Sequence, residues 1–173
     1  MLKHTTSITT LANPITTSHL DAFRTLAMLT TQDAYKHLVP ANHIKALLGY
    51  IQNDDLEAIA SKPSDFVLGA WQNSQLVGML IAETRAKDSM LLRALSVHPQ
   101  HCRLGIATRL VQTAEQIAQS CQDVLMFRIN VLSSDERAIS FWQKQGYVKK
   151  HQETIRLLND ISFQTDIMIK ITK

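Results

Sequence analysis

Apolar residues recur along this chain with two different periods, and the change of period predicts where helices give way to strands. Over residues 18–59 they recur about every three to four positions, which is typical of helices that bury one side. From residue 66 they lie in short runs or alternate with polar residues, which is typical of strands. The pattern predicts, in order, a strand at 7–11, helices at 18–29, 42–51 and 56–59, strands at 66–71, 76–83 and 90–97, a helix at 105–122, a strand at 124–131, a short helix after 133, and strands at 147–157 and 161–171.

Polar residues and glycines predict where several of these elements begin or end. Ser18, with Asp21, is predicted to be the N-cap of the first helix, and Asn73–Gln75 to form a hairpin turn, which Gly78 follows. Ser133, with Glu136, fits a capping box, and Gly146 is predicted to close the last helix. Cys121 lies on the apolar stripe of the helix at 105–122, so we expect its side chain in the core. In the last strand, alternate residues from Ile161 to Ile171 share an apolar face.

The order of these elements predicts a single α/β domain over residues 1–173. Residues 66–83 form a hairpin and are therefore antiparallel, whereas residues 90–131 form a strand, helix and strand long enough for a right-handed parallel crossover. No internal repeat, low-complexity run or linker interrupts the chain. The expected sheet is therefore part antiparallel and part parallel.

Composition and charge exclude several classes of protein. The chain is 45% hydrophobic, too much for a disordered protein, yet no run approaches the roughly 18 apolar residues of a membrane helix. The net charge of +3 comes from residues 137–173, which hold 7 Lys and Arg against 3 Asp and Glu, a modest excess, and aromatics are only 6% of the chain, so we expect a solvated basic face and no nucleic-acid partner. The start of the chain lacks the apolar stretch of a signal peptide, and the two cysteines and seven histidines form no metal-binding spacing. We therefore expect a cytoplasmic protein without a metal.

The stretch from Leu95 to Thr108 combines the end of a buried strand, a turn and the start of a long helix. The first N–H groups of a helix have no partner within the helix, and the helix dipole adds positive charge, so this helix start is suited to a phosphate. Gly105 and Ala107 would let a phosphate approach the backbone, and Arg103 would add a charged contact. The same small residues also suit a helix that packs closely on its strand, and the spacing alone leaves both interpretations open.

Two motifs in this part of the chain resemble the signatures of the GCN5-related N-acetyltransferases, the GNAT family. Val97-His98-Pro99 followed by residues 102–107, CRLGIA, is similar to the family's acetyl-CoA-binding signature, [Q/R]-x-x-G-x-[G/A] after a strand that ends V-x-P. Residues 135–147, DERAISFWQKQGY, resemble the second signature, N-x-x-A-hydrophobic-x-[F/L]-Y-x-x-x-G-[F/Y]. The two motifs stand in the family's order, and the element order resembles the family over nearly the whole chain.

The resemblance implies a GNAT-like α/β fold, with a mixed, mostly antiparallel sheet, a central splayed pair of parallel strands and flanking helices. It implies an enzyme that moves an acetyl group from acetyl-CoA directly to a primary amine of an unidentified small molecule or peptide. Backbone groups at 95–97 would bind the pantetheine arm and polarise the thioester carbonyl, and N–H groups at 103–108 would hold the pyrophosphate. The residues that it places at the cofactor are Leu95, Ser96, Val97, Cys102, Arg103, Leu104, Gly105, Ile106, Ala107, Thr108, Asp135, Ala138, Phe141 and Trp142.

Three residues depart from the family pattern. Cys102 replaces the usual Gln or Arg, and Asp135 replaces the usual Asn. Trp142 replaces the Tyr that in many members protonates the departing thiolate. An indole N–H has no useful acidity near neutral pH, and Tyr147 matches an aromatic that is normally packed. A catalytically silent acyl-CoA-binding or regulatory domain is therefore the alternative function.

The resemblance leaves proton removal and acceptor recognition open. Glu83, near the end of the strand before Met90, is the candidate general base, with a strand-end carboxylate of no catalytic role or a chain of waters as alternatives. Residues 53–57, NDDLE, could attract a cationic amine or cap a helix. Cys102 is not expected to act as a nucleophile, because no histidine and carboxylate are placed to activate it. Strand edges near the C-terminus could pair in a homodimer.

Overall fold

The helices and strands of the computed structural model, which describes residues 6–10, 17–48, 53–156 and 161–172, follow the predicted order. The elements are β1 (Ser7–Thr10), α1 (Thr17–Tyr35), α2 (Ala41–Leu47), α3 (Asn53–Ala60), β2 (Phe66–Gln72), β3 (Gln75–Ala86), β4 (Ser89–Val97), α4 (Ile106–Gln122), β5 (Met126–Leu132), α5 (Glu136–Lys144), β6 (Val148–Arg156) and β7 (Ser162–Ile171). A single turn of 3-10 helix at Pro99–His101 lies between β4 and α4. Residues 11, 49–51 and 157, which the pattern assigned to element ends, lie outside the described residues.

The described strands form one seven-stranded sheet in the order β1-β2-β3-β4-β5-β7-β6. Neighbouring strands are antiparallel except for β4 and β5, which are parallel and joined through α4. At the β2–β3 hairpin, Asn73 and Ser74 have φ angles of 50° and 62°, the left-handed conformation that a two-residue turn needs to match the strand twist. The predicted mixed sheet with a central parallel pair is confirmed.

Helices cover both faces of the sheet and bury two apolar clusters. On one face, α1 and α3 pack on β2 to β4 through a cluster that includes Phe23, Leu26, Leu56, Val67, Met79, Ile81 and Ala94. On the other face, α4 and the aromatic end of α5 pack through a cluster that includes Leu80, Leu92, Ile106, Leu110, Phe127, Ile129 and Trp142. The alternation of side chains along β3 and β4 therefore decides which helical layer each residue meets.

Gly78 fixes how closely α4 approaches the sheet. A Cβ atom at this position would lie 2.9 Å from Cγ2 of Ile106 and 3.1 Å from Cδ1 of Leu110. The glycine does follow the hairpin in sequence, but its absent side chain is what lets the first turns of α4 rest directly on β3. The start of α4 is thereby held against the end of β4.

The parallel strands β4 and β5 pair only at their first residues. The register joins Ser89 to Met126, Met90 to Phe127 and Leu91 to Arg128, and no further pair follows, although β4 runs on to Val97 and β5 to Leu132. The strands therefore separate toward their C-terminal ends, where the β4–α4 and β5–α5 connections begin. This is the splayed parallel pair that the resemblance implied.

Three predicted helix starts and one predicted helix end are wrong. α3 begins at Asn53 and not after Asp55. α1 begins at Thr17 and not after Ser18, and it continues past Leu29 to Tyr35. Within it, the polar side chain of Thr30 is accommodated by donating to the Leu26 carbonyl oxygen. The N-cap of α5 is Asp135, whose carboxylate accepts from the Ala138 N–H at 3.0 Å. Ser133 lies one turn earlier and its hydroxyl donates instead to the carboxylate of Asp166.

The core prediction for Cys121 is also wrong, because its side chain is exposed. Residues 119–121 are all exposed, so the buried stripe of α4 ends at Ala118, one turn before Cys121 would join it. In β7 the predicted apolar face is buried at Phe163 and Ile167, but Ile171 at the strand end is 71% exposed.

A buried polar network joins α5, α4 and β7. The Tyr147 hydroxyl donates to Oε1 of Glu115 at 2.9 Å, and Nζ of Lys170 donates to Oε2 of the same carboxylate at 2.6 Å. Burial, and then the Glu115 carboxylate, raises the pKa of the Tyr147 phenol far above its usual range. Tyr147 is therefore a packing residue, as the sequence indicated, and it ties α5 to the helix whose start faces the separated strands.

Replacing Tyr147 by Phe is expected to lower the free energy of unfolding by about 2 kcal/mol, because Glu115 loses a buried donor. The wild-type protein should lose part of its stability as the pH rises past about 10, where the unfolded phenol ionises and the folded one does not. The variant should lack that alkaline decline. Urea unfolding at several pH values measures both effects, and a variant as stable as wild type would show that the bond contributes nothing.

Candidate functional site

A cleft of about 480 Å³ opens where β4 and β5 separate. Its walls are the second half of β4, the end of β5, the C-terminal end of α1, the turn before α4 and the start of α5. The lining residues that the sequence had singled out are Leu95, Ser96, Val97, Cys102, Arg103, Ala107, Asp135, Ala138, Phe141 and Trp142. The cleft thus lies between the two motifs and brings most of their residues together.

The start of α4 presents bare backbone N–H groups at one end of the cleft. Gly105 is the N-cap, with φ +78°, and gives no side-chain hydrogen bond to the first turn. A Cβ atom on Gly105 would meet nothing within 4 Å, so the space in front of the helix start is open. Arg103, at φ +64°, also has a left-handed backbone in this turn. The start of this 17-residue helix therefore has no side-chain cap, and uncapped helix starts of this kind favour anions such as a phosphate.

The turn between β4 and α4 is held by its own hydrogen bonds. The His98 N–H donates to the Val77 carbonyl oxygen at 2.9 Å, and the Nδ1 atom of His98 accepts from the Gln100 N–H at 3.2 Å. The thiol of Cys102 lies 3.6 Å from the His98 carbonyl oxygen, and its side chain is exposed. These hydrogen bonds, which lie within the turn or join it to β3, therefore fix its shape at the cleft.

The start and the aromatic residues of α5 form the opposite wall. Asp135 is buried and caps the helix, so an acidic residue replaces the family's Asn without loss of the capping oxygen. Trp142 is buried and contacts the rings of Phe141 and Tyr147 edge to face, with centroids 5.2 and 4.9 Å away. Behind it, the Gly146 N–H donates to Gln143 and the Tyr147 N–H to Trp142, which closes α5 as the sequence predicted.

Four residues expected at the cofactor do not line the cleft. Ile106 is buried in the core beneath the helix start, and Leu104 is 64% exposed. Gly105 and Thr108 contribute backbone at the start of α4, where the Thr108 hydroxyl also accepts from the Gln145 side chain at 3.3 Å. The expected contribution of Gly105 and Thr108 is a backbone N–H group, so both positions are consistent with an anion site that the backbone forms.

Glu83 lies outside the cleft wall and is held by two guanidinium groups. Its Oε1 atom accepts from Nη1 of Arg93 at 2.6 Å, and its Oε2 atom accepts from Nη2 of Arg85 at 2.7 Å. The Glu83 side chain is 11% exposed, the Arg93 side chain 25% and the Arg85 side chain 54%. Of these three residues only Arg93 lines the cleft.

The sequence reasoning missed the wall that α1 contributes. Its C-terminal turns place Thr30, Thr31, Asp33, Ala34 and Tyr35 at the cleft, and Arg93, Asn130 and Arg137 also line it. A hydrogen bond from Lys36, at 2.9 Å, lowers the pKa of Asp33 below its usual value, with a smaller effect of Arg137. One signal was available, because Arg93 is the only charged residue in the run from Met90 to Val97.

The part of the chain that the structure describes holds neither a cluster of metal-ligating side chains nor a helix suited to a membrane. Among the described residues, no three or more His, Cys, Asp and Glu side chains group as metal ligands would. None of the helices that the structure describes is both long and apolar enough to cross a membrane.

Comparisons with known proteins agree with this geometry. The model of the acetyltransferase (GNAT) family matches residues 20–147, whereas comparison with curated proteins gives no match. The PaiA N-acetyltransferase of Thermoplasma acidophilum, solved in complex with coenzyme A, is 18% identical with a TM-score of 0.82 over 97% of this chain and 99% of that one. The ribosomal-protein-S18-alanine N-acetyltransferase of Escherichia coli is 16% identical, with a TM-score of 0.69 over 95% and 92%. A GNAT family acetyltransferase of Elizabethkingia anophelis with acetyl-CoA bound is 12% identical, with a TM-score of 0.63 over 96% and 98%.

Proposed function

Because this chain belongs to the GNAT acetyltransferase family, we propose that it transfers an acetyl group from acetyl-CoA directly to a primary amine of a small molecule or peptide. The separation of β4 from β5 carries the proposal, because it opens a cleft that reaches from the start of α4 to the end of α1. Such a cleft can bring a thioester and an amine together within one domain over residues 1–173. The solved relatives that contain coenzyme A or acetyl-CoA support the same cosubstrate here.

The described residues fit the phosphate end of acetyl-CoA. The uncapped N–H groups of α4 and the open space in front of Gly105 suit a pyrophosphate, which binds where a helix dipole favours negative charge. Ala107 and Arg103 line the same end of the cleft, one without bulk and the other with a positive charge. Cys102, which replaces the family's usual Gln or Arg, is compatible with this role because the contacts are mostly made by the backbone.

The free half of β4 suits the pantetheine arm and the thioester. Beyond Leu91 the backbone of β4 has no partner in β5, so N–H and C=O groups at 95–97 can pair with the amides of the arm. Bound acetyl-CoA supplies the acetyl group as a thioester, and an N–H group aimed at its carbonyl oxygen stabilises the charge that develops there. Ala138, Phe141 and Trp142 form the wall that faces the thiol end.

Removal of the amine proton is best assigned to water in the open cleft. Two guanidinium groups hold the Glu83 carboxylate, so both of its oxygen atoms already accept a hydrogen bond. Glu83 also lies behind the cleft wall, so a proton would have to pass Arg93 to reach it. We therefore propose that the amine proton leaves through ordered waters to solvent, which is one of the routes that the sequence left open.

Departure of the thiolate does not require an acid at Trp142. Trp142→Phe is expected to cost about 1–2 kcal/mol in stability through lost packing. Its kcat should fall by much less than the roughly 100-fold that removal of a general acid causes. Trp142→Tyr, which restores the residue common in the family, should have a kcat at least as high as that of the Phe variant. Steady-state kinetics with urea unfolding test this, and a 100-fold loss of kcat in a folded Phe variant would assign the indole a direct role.

The absence of the usual Tyr at position 142 also favours a second candidate, a catalytically silent acyl-CoA-binding domain. Calorimetric titration with CoA and thiol release from acetyl-CoA across an amine panel separate the two functions. Binding with turnover of at least one amine supports the enzyme. Binding without turnover of any amine supports the silent domain, and absence of CoA binding at micromolar concentrations would overturn both.

A further inference from the structure

The sheet divides the cleft into two walls of different chemistry. The wall on the α4 face is apolar, with side chains that belong to or pack against the cluster under α4, among them Leu92, Leu95, Val97, Ile129 and Trp142. The wall on the α1 face is rich in hydroxyl and amide groups, among them those of Thr31 in α1, Ser96 in β4 and Asn130 in β5. Three different elements thus contribute a neutral hydrogen-bonding group to one side of the cleft.

The register of the strands places Ser96 and Asn130 on the α1 face. Ser96 pairs with Met79, which lies in the cluster under α1, and directly paired residues of neighbouring strands share a face. Asn130 lies between Ile129 and Val131, which belong to the cluster under α4, so the alternation along β5 turns Asn130 to the other face. The two side chains therefore lie on the same face, one on each of the two strands that separate.

The hydroxyl groups of Thr31 and Ser96 make no hydrogen bond with any residue that the structure describes, although both residues are buried. Thr31 is 4% exposed and Ser96 is 8% exposed. The adjacent Thr30 differs, because its hydroxyl donates to the Leu26 carbonyl oxygen at 2.9 Å. Buried hydroxyls in folded proteins are in most cases hydrogen-bonded, since an unpaired one costs free energy. Two such hydroxyls on one wall of a cleft therefore point to a ligand that completes their hydrogen bonds.

Asn130 has donors left for the same ligand. Its Oδ1 atom accepts from Nε of Arg128 at 3.1 Å. Its NH2 group donates to none of the described residues, and Asn130 lines the cleft. This amide therefore adds donors on the β5 side, across the gap from Ser96.

The charged side chains that line this end of the cleft balance one another. Among the described lining residues here, two are acidic and two are basic, namely Asp33, Asp135, Arg93 and Arg137. Asp33 already accepts a hydrogen bond from Lys36, and Asp135 caps α5. A carboxylate or a second ammonium group on the acceptor would gain no net attraction here, so discrimination between acceptors is left to the neutral groups.

We propose that Thr31, Ser96 and Asn130 bind a neutral hydroxyl or amide group of the acceptor, so that the acceptor is an amine with such a group next to the reacting nitrogen. Hydroxyl side chains both donate and accept, and the asparagine NH2 group donates, so together they suit either a hydroxyl or an amide. Amino alcohols, amino sugars and the N-terminus of a peptide all present this chemistry. The inference rests on the proposed acetyl transfer and adds the substrate class to it.

The test compares acceptors in matched pairs that differ in the polar group, ethanolamine with propylamine and glycinamide with isobutylamine. Binding is measured by protein-detected NMR titration at saturating CoA, and turnover by thiol release from acetyl-CoA. Wild type should prefer the polar member of each pair at least about tenfold, because the apolar member leaves the buried hydroxyls unpaired. Glucosamine and glycylglycinamide, run in parallel, distinguish a sugar from a peptide as the source of the polar group.

Glycine tests whether the bound group is neutral. It should bind no better than glycinamide, because the balanced charges offer nothing to offset the desolvation of its carboxylate. Glycine bound at least about tenfold more tightly than glycinamide would overturn the assignment of a neutral group.

Thr31→Val and Ser96→Ala each remove one hydroxyl with little change in volume. Each should reduce the preference for the polar member at least about threefold. Thr31→Val should also be at least as stable to urea as wild type, because a methyl group replaces a buried hydroxyl that has no partner in the described protein. A hydroxyl with a purely structural role would show the opposite result, a loss of stability with unchanged preference.

Thr25→Val is the matched control for the change in α1. Thr25 lies on the same helix, is exposed and does not line the cleft. Its variant should keep the preference within about twofold of wild type. An equal loss in the Thr25 and Thr31 variants, or no preference in wild type for either pair, would overturn the proposal.

Calorimetry with CoA alone shows which ligand the Ser96 hydroxyl meets. If Ser96→Ala loses as much CoA affinity as it loses preference, the hydroxyl binds the pantetheine arm and its proposed role toward the acceptor is wrong. Preference for polar amines in binding without turnover of any amine would refute the proposed enzyme and leave this inference intact. Turnover without that preference would do the reverse.

Discussion

Ala107→Glu is expected to abolish CoA binding while leaving the protein at least as stable as before. Ala107 lies in the first turn of α4 and lines the cleft. A carboxylate there interacts favourably with the helix dipole, by about 0.3–1 kcal/mol. The same charge occupies the position proposed for the pyrophosphate and repels it, so we expect Kd for CoA to rise at least about 100-fold, or about 2.7 kcal/mol. Calorimetry and urea unfolding measure the two quantities.

Gln112→Glu is the control for this change. It adds the same charge to the same helix at an exposed position further along α4. Its CoA affinity should stay within about threefold of wild type, because an exposed charge that far away is screened by salt. If Ala107→Glu binds CoA as wild type does, the phosphates are not at the start of α4 and the proposed orientation of acetyl-CoA is wrong.

Gly105→Val should weaken CoA binding by a second, independent mechanism. The φ angle of +78° strains any residue with a side chain, and we expect a loss of about 1–2 kcal/mol in stability. A Cβ here meets nothing in the protein, so its branched atoms project into the space proposed for the ligand. Kd for CoA should therefore rise at least about 50-fold, well beyond what the loss of stability explains.

Gly146→Val separates strain from obstruction. Gly146 has φ +90°, and a Cβ on it would make only an ordinary contact with Lys170, at 3.7 Å. It ends α5 and does not line the cleft. Both variants should lose similar stability, but only Gly105→Val should lose CoA affinity. Equal affinity losses would mean that strain at either glycine disturbs the cleft, and Gly105 would have no special place in binding.

The part of the candidate site that could be predicted from the sequence depends on residues that lie close together in the chain. A strand end, a turn and a helix start follow one another between Leu95 and Thr108, so a single motif contains the whole proposed anion site. Closure of α5 by Gly146 is equally local, because the bonds involved span only a few residues. The parallel pairing of β4 and β5 was predictable from the length of the crossover between them.

The missed half depends on contacts between residues that are distant in sequence. The end of α1 reaches the cleft only because the helix continues past Leu29, and an apolar pattern cannot show that Thr30 is satisfied by its own helix. Arg93 is directed by a bulge that exists only in the register with β3. Ser133 fits a capping box by spacing, but Asp166 of β7 takes its hydroxyl and Asp135 becomes the cap.

The short pairing between β4 and β5 has a mechanical consequence. It divides the sheet into a block of four strands and a block of three, joined in the sheet by only three residue pairs. A ligand whose amides pair with the free edges of β4 and β5 would supply hydrogen bonds that the two strands do not make with each other, and it would hold the two blocks together. At a concentration about 100 times its Kd, any ligand specific for the folded state adds about 2.7 kcal/mol to stability. In this fold that stabilisation would act between β4 and β5, where the protein's own hydrogen bonds are fewest.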